Sequence, residues 1–302
     1  MSSAEQRRVV ITGVGPVSPI GVGAEEFRAA FGAGESALVG DPPRAGIQDF
    51  DIARYLESQK TYLDRCSEFT LAACSLALSD AGLKIEGEAR WRAGICLGTA
   101  YGCVGTLKTF TDLLVEKGAR LANPLLFSHS YVNTPVSLAA IEFDLAGFHS
   151  NVCNGSISGS LAIAVAADAI RGDRAQVMLA GGAEAFSELL LAAQDRRSIA
   201  EGAGVVVLES EDHAHGRGAR IYAEFGEWMI DRSRRESTLP AVSGARSVSV
   251  RELIGDSLGA GESLSVIAAA LTMTDQPALI TAADDEGGAL SIVLQPVRRG
   301  GA

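Results

Sequence analysis

Few residue types in this chain could carry chemistry. Its 302 residues include five cysteines (Cys66, Cys74, Cys96, Cys103, Cys153) and four histidines (His129, His149, His213, His215). The cysteines form no Cys-x-x-Cys pair and share no metal-ligand spacing with the histidines. Zinc is therefore not expected, and reduced, mostly buried thiols are. The histidines lack the spacing of a nucleophile–base–acid set; His213 and His215 fall in EDHAHGRG, which reads as an exposed turn. Gly13-Val14-Gly15 follows an apolar run and could begin a loop that cradles phosphates. Its third glycine would fall on Ser18, and Pro16 and Pro19 spoil the helix start, so a dinucleotide site is not expected. No cofactor is implied.

The elements that would position any site are legible from periodicity. Arg8–Thr12, Ala93–Gly98, Ala175–Ala180 and Gly204–Leu208 read as strands, the last two as hairpin partners. Asp64–Ala81, Gly105–Lys117 and Thr134 to about Asp144 read as helices, Gly82 stopping the first. His149–Gly155 reads as a short strand or approach segment. Ser158–Arg171 (SGSLAIAVAADAIR) is almost wholly apolar, and a helix with no polar face must be buried on all sides. A shorter run follows: strands at Arg220–Phe225, Ser247–Arg251, Ala278–Thr281 and Ala289–Leu294, and a helix at Ser263–Leu271. Asp231–Glu236 reads as a charged surface turn. Alternating strands and helices predict an α/β protein with a largely parallel, doubly covered sheet. A helix buried on both faces adds sheets above and below it.

Composition narrows the function. At 47% hydrophobic and 21% charged residues, the chain suits a well-packed protein. MSSAEQRRVV lacks the apolar core of a secretory leader, and Leu161–Ile170 is too short for a membrane span, so a cytoplasmic protein is expected. A formal charge of −11 argues against nucleic acid, which needs basic patches.

HSNVCNGSISGSLAIAVAADAIRGDRAQVMLAGG (149–182) resembles the nucleophile-elbow segment of β-ketoacyl-ACP synthases. RRVVITGVGPVSPIG resembles that family's opening strand and loop, DRCSEFTLAAC its Asp-Arg helix, and EGAGVVVLES its closing hairpin strand. LIGDSLGAGES resembles its second-half Gly-His-x-x-Gly-Ala motif, and GGALSIVLQP its terminal strand. The resemblance implies a thiolase-like fold: a five-layer αβαβα sandwich of two related halves, 1–210 and a truncated 211–302.

It also implies a chemistry, and its loss. In the family a thiolate at the head of the buried helix takes an acyl group, and two histidines assist decarboxylation and stabilise the enolate. Nine residues on from Gly147, the nucleophile position is Ser156, and the family's glycine is Gly159. The first histidine, in His-Gly-Thr, has no counterpart, and the second is Asp256. The chain is also short between Gly182 and Glu201, where the family carries substrate loops, and between Trp228 and Val248, where it carries the first histidine. Ser156 then reads as a small residue at a tight elbow, Asp256 as a structural carboxylate, and Cys153 as a strand thiol near a subunit contact.

The resemblance thus points to a non-catalytic chain length factor of a type II polyketide synthase, closest in compactness to polyene-forming, highly reducing systems. It would pair with an active Cys-His-His ketosynthase. Ser150, Asn151, Val152 and Cys153 are the interface candidates; Phe110, Leu113 and Leu114 are candidates for walling the acyl tunnel. Carrier protein, usually acidic, would dock mainly on the partner. Two other readings remain: an acyltransferase or decarboxylase using Ser156, and an acyl-binding scaffold.

Overall fold

Two helices with almost no polar face sit between layers of strands. The computed structural model describes residues 7–194, 197–231, 244–283 and 288–297. In chain order the elements are β1 (Val9–Ser18), β2 (Gly21–Val22), α1 (Ala24–Ala33), β3 (Arg44–Ala45), α2 (Arg65–Asp80), β4 (Ala93–Gly98), α3 (Val104–Lys117), α4 (Pro124–Ser128), α5 (Thr134–Glu142), β5 (His149–Val152) and α6 (Ser158–Arg171). They continue with β6 (Val177–Glu184), α7 (Glu188–Ala193), β7 (Ile199–Ala200), β8 (Gly202–Ser210), α8 (Glu211–Gly216), β9 (Ala223–Asp231), β10 (Arg246–Ser247), α9 (Arg251–Ile254), α10 (Gly261–Leu271), β11 (Ala278–Ala283) and β12 (Ala289–Gln295).

Nine of the strands follow one path, β10-β11-β12-β9-β1-β8-β6-β4-β5; β2 pairs with β1 beside it, and β3 and β7 form a separate two-stranded sheet. β1 joins its two parts: it pairs with β8 along most of its length, and Val9–Ile11 pairs with Ala223–Phe225 of β9. α6 and α10 lie between the parts. Their buried faces share one apolar cluster with Ile11 and Val206 from the first part and Ile280, Ile292 and Leu294 from the second. α2 and α5 cover the opposite side of the first part, packing on Ile95, Leu179 and Val205. The layers therefore run helix, sheet, helix, sheet, as the apolar Ser158–Arg171 pattern demanded. Among the described residues no helical layer comparable to α2 and α5 covers the far side of β9, β11 and β12, which is where the shortening of the second half shows.

Several sequence expectations need correction. The sheet is mixed: β4 is parallel to β5 and β6, but β1, β8, β9 and β12 pair antiparallel. GVGPVS, expected to be a loop, continues β1 to Ser18. Pro16 is tolerated there because its carbonyl accepts from Gly23 N, so its backbone faces away from β8 and no ladder donor is lost. Ser247–Arg251 is a strand only to Ser247; Arg251 starts α9. Arg220–Phe225 begins later, at Ala223, and runs to Asp231. Of the expected charged turn at 231–236, residues 232–236 lie outside the described residues. His213 and His215 sit on the short helix α8, and His213 Nδ1 bonds Glu209, a fully buried carboxylate of β8 also held by Arg217 and Thr12.

Candidate functional site at the head of the buried helix

The turn before α6 is held by its own hydroxyls. Gly155 takes a left-handed φ of 57°, which favours glycine. Ser158 Oγ donates to Gly155 O at 2.6 Å and accepts from Asn154 N at 2.8 Å. This fixes Ser156 just ahead of the helix, 7% exposed. The helix head is pressed against both halves: a Cβ at Gly159 would stand 2.4 Å from Gly259 O and 2.3 Å from Ser263 Oγ. A small-residue sequence is the only one that fits.

Ser156 Oγ donates no hydrogen bond to a histidine or carboxylate among the described residues. His149 Nδ1 bonds Gly147 O, His213 bonds Glu209, and His129 stacks edge-on against Tyr62. Without an adjacent base a hydroxyl stays a weak nucleophile. Cys153 lies outside the helix head, exposed, with Sγ donating to Ala100 O at 3.5 Å, and burial pushes its thiol up. The other four cysteines are buried; burial pushes Cys96 up to about 12.

Asp256 is 5% exposed and fully engaged. Oδ1 accepts from Leu258 N at 2.9 Å, and Oδ2 meets Arg197 at 3.0 Å and Arg251 at 3.3 Å. Its backbone pairs with Ser198 O and Ala200 N, so the second-half motif is anchored to the short connection before β7. Beside it Glu262 is buried with Oε2 unpartnered. Burial pushes Glu262 up to about 8, against Arg251 and with Asp256. A carboxylate bound by two guanidiniums is a structural tie.

Three further carboxylates, missed by the sequence reading, support the site. Glu201 accepts Arg65 in a bidentate pair at 2.9 and 2.8 Å, and also Ile47 N and Phe186 N. Asp64 caps α2 through Cys66 N and accepts Thr106 Oγ1 at 2.6 Å. DRCSEF and EGAGV therefore carry the two ends of one ion pair, a signal that was available in the sequence. Glu184, at the end of β6, gathers the backbone amides of Ala100, Tyr101 and Gly102.

The predicted tunnel residues share one side of α3, but that helix is on the surface. Only Thr106 is buried. Phe110 is half-buried against Phe127, ring centroids 5.3 Å apart, and Leu114 is exposed. Leu113 borders an open cleft of about 530 Å³ with Tyr62, Thr106, Phe186 and Ser187. Ser150, Asn151 and Val152 form β5, the edge strand of the sheet. Ile95 N donates to Phe148 O and Thr99 N to Val152 O, so the alternate residues His149 and Asn151 turn their backbone groups to the open edge.

Comparison with known proteins gives the following. Residues 43–198 match the family model described as β-ketoacyl synthase, N-terminal domain. The chain is 30% identical over 276 residues to 3-oxoacyl-[acyl-carrier-protein] synthase 2 of Vibrio harveyi, covering 80% of this chain and 66% of the relative. It is 34% identical over 260 residues to a Streptomyces halstedii protein named "Putative polyketide beta-ketoacyl synthase 1", covering 72% and 62%. It thus spans about two thirds or less of the length of these relatives. Two solved structures superpose with a TM-score of 0.85. One is a type II PKS acyl-carrier protein in complex with its ketosynthase bound to the hexaketide, at 19% identity and covering 96% of this chain and 100% of that one. The other is the ishigamide ketosynthase/chain length factor, at 20% identity, covering 97% and 100%. At these identities the likeness is one of fold.

Proposed function

The chain belongs to the β-ketoacyl synthase family, with its thiolase-like fold, and from that premise we propose that it is a chain length factor: a ketosynthase-like subunit without condensation chemistry of its own. It pairs with an active Cys-His-His ketosynthase and helps shape the tunnel in which a polyketide or polyene chain grows by decarboxylative Claisen condensation. The complex is cytoplasmic, and carrier protein engages mainly the partner.

The observation that carries this reading is the head of α6. Where the family needs a thiolate, the side chain is Ser156 with no base bonded to it among the described residues. Where it needs the second histidine, Asp256 is consumed by Arg197, Arg251 and a backbone amide. The surface supports a partner. On α3 and α4, Leu107, Leu114, Leu125 and Phe127 are exposed, with Leu121 and Tyr131 on the adjoining connections, apolar side chains that a partner would cover. Strand addition at β5 would join the two sheets through backbone bonds.

Co-expression with a Cys-His-His ketosynthase, followed by native mass spectrometry, tests the pairing. A one-to-one heterodimer is expected, and Asn151→Pro, which removes one outward N–H on an edge strand where proline is tolerated, should weaken it. A chain that stays a monomer or homodimer in the presence of such partners overturns the proposal in favour of an acyl-binding scaffold.

A further inference from the structure

No side chain of α3 belongs to either apolar cluster of the core among the described residues. A fourteen-residue helix that adds nothing to the core needs another anchor, and α3 has one in its first turn. Thr106, its one buried residue, donates its hydroxyl to Asp64 Oδ2 at 2.6 Å, and its amide reaches the same oxygen at 3.4 Å. The hydroxyl spends its only proton there, so the Tyr62 phenol, 2.7 Å away, donates to Thr106 Oγ1. Asp64 is itself fixed: it is buried, and its other oxygen caps α2 at Cys66 N. Beyond the first turn the hold on α3 is weak. The helix leans on two short helices, α4 and α7, and on the 119–121 turn. Lys108 comes no nearer than 4.0 Å to Glu188 of α7, which is exposed, and such a pair contributes little. Residues 114–117 are exposed.

Thr106, Phe110 and Leu113 are spaced i, i+4, i+7 and form one stripe of the helix. Thr106 and Leu113 both border the cleft of about 530 Å³, together with Tyr62, Leu63 and Phe186. We propose that Asp64, Thr106 and Tyr62 are positioning residues: their chain of hydrogen bonds sets the tilt of α3 over this cleft, and with it the length at which the growing acyl chain stops. The proposal rests on the chain-length-factor reading and names what regulates that site. Leu113 lies seven residues beyond the anchor, about 10.5 Å along the axis, so a tilt of about 14° carries it about 2.5 Å. That matches one two-carbon unit of extended chain, about 2.5 Å long from the bond lengths and angles of tetrahedral carbon. A modest slackening of the anchor is therefore enough to admit or exclude one extender unit. The apolar stripe supplies the wall, and the hydroxyl anchor supplies its set point.

Thr106→Val keeps the shape of the side chain and removes its hydroxyl; Thr106→Ser keeps the hydroxyl. Losing a hydrogen bond to a carboxylate shifts an equilibrium between two helix positions by roughly tenfold. On the free chain, carrying Cys153→Ser, nitroxide labels at Val115→Cys of α3 and Ser79→Cys of α2, both exposed positions, report the tilt by electron–electron double resonance. Their distance distribution should broaden in Thr106→Val and keep its wild-type width in Thr106→Ser. In the heterodimer with an active ketosynthase, fed malonyl carrier protein, products one extender unit longer or shorter should rise roughly tenfold relative to the main product in Thr106→Val and stay level in Thr106→Ser. A merely structural defect lowers all products together and leaves their ratio alone. Tyr62→Phe deletes only a half-buried phenol oxygen and should move both readouts the same way by less, which keeps the test decisive where Thr106→Val folds poorly. An unchanged distance distribution in the hydroxyl-deleted chains overturns the anchor. A broadened distribution with an unchanged product profile overturns its control of length. A wild-type chain that forms no heterodimer in native mass spectrometry defeats the underlying pairing, and this proposal with it, before any variant is compared.

Discussion

Replacing Gly159 by alanine adds one methyl group where the head of α6 presses against the second half. The new Cβ would stand 2.4 Å from Gly259 O and 2.3 Å from Ser263 Oγ. The Ser263 hydroxyl can rotate away; the Gly259 carbonyl belongs to the turn that also carries the amide bound by Glu184. Overpacking against a rigid neighbour costs about 1–3 kcal/mol, and with backbone as the obstacle the upper end, about 3 kcal/mol, is expected. For a chain of this size that lowers Tm by roughly 5 °C. Gly182→Ala meets the same carbonyl, at 2.0 Å, and should cost as much. Once the carbonyl has moved for one methyl the second costs less, so the double variant should fall short of the summed effects by about 1 kcal/mol. Gly32 is the control: it lies inside α1 with nothing within 4 Å of its would-be Cβ, and alanine there should stabilise by about 0.5 kcal/mol. Urea denaturation of the four variants measures all of this. A Gly159→Ala chain as stable as the wild type, or indistinguishable from Gly32→Ala, refutes the close approach of the two halves at the helix head.

Other outcomes follow from the same structure. Although burial works against it, the bonds from Arg217, Thr12 and His213 hold Glu209 below the usual carboxylate range. Its contribution is therefore present at neutral pH and lost as pH falls through and below that range; Glu209→Gln should flatten the acid limb of the urea-midpoint profile, and an unchanged limb counts against the network. Breaking the bidentate Arg65–Glu201 pair with Glu201→Ala leaves a partly buried guanidinium and two amides unpaired, and a loss of about 3 kcal/mol is expected in the same assay. In the native chain a thiol-specific reagent should label Cys153 first and the four buried cysteines only on unfolding; pairing at β5 should protect Cys153, so equal labelling in free chain and heterodimer would exclude that edge.

What the sequence disclosed and what it hid have separate physical causes. Ser158–Arg171 was readable because fourteen residues without a polar face can only be buried, and Ala93–Gly98 because a strand covered on both sides is apolar throughout. The continuation of β1 past Pro16 was hidden, since whether a proline interrupts a ladder depends on which neighbour its backbone faces. Ser247–Arg251 read as a strand because Val248 and Val250 alternate as a strand would, and the four-residue helix α9 that starts at Arg251 has no periodicity to read. The Phe110, Leu113 and Leu114 face was visible as an apolar stripe, but a stripe does not say whether the chain itself or another molecule covers it. Ser156 and Asp256 were placed by register; that Asp256 is tied to Arg197 and Arg251 required the fold, which brings together residues 59 apart in the first case.

The account rests on the absence of acyl-transfer chemistry at the head of α6. Intact-mass measurement of the purified chain, incubated with acyl and malonyl carrier protein, tests it directly. The account predicts no adduct on the chain alone, and condensation by its complex with an active ketosynthase that is unchanged by Ser156→Ala. An acyl adduct on the isolated chain that disappears in Ser156→Ala would contradict it.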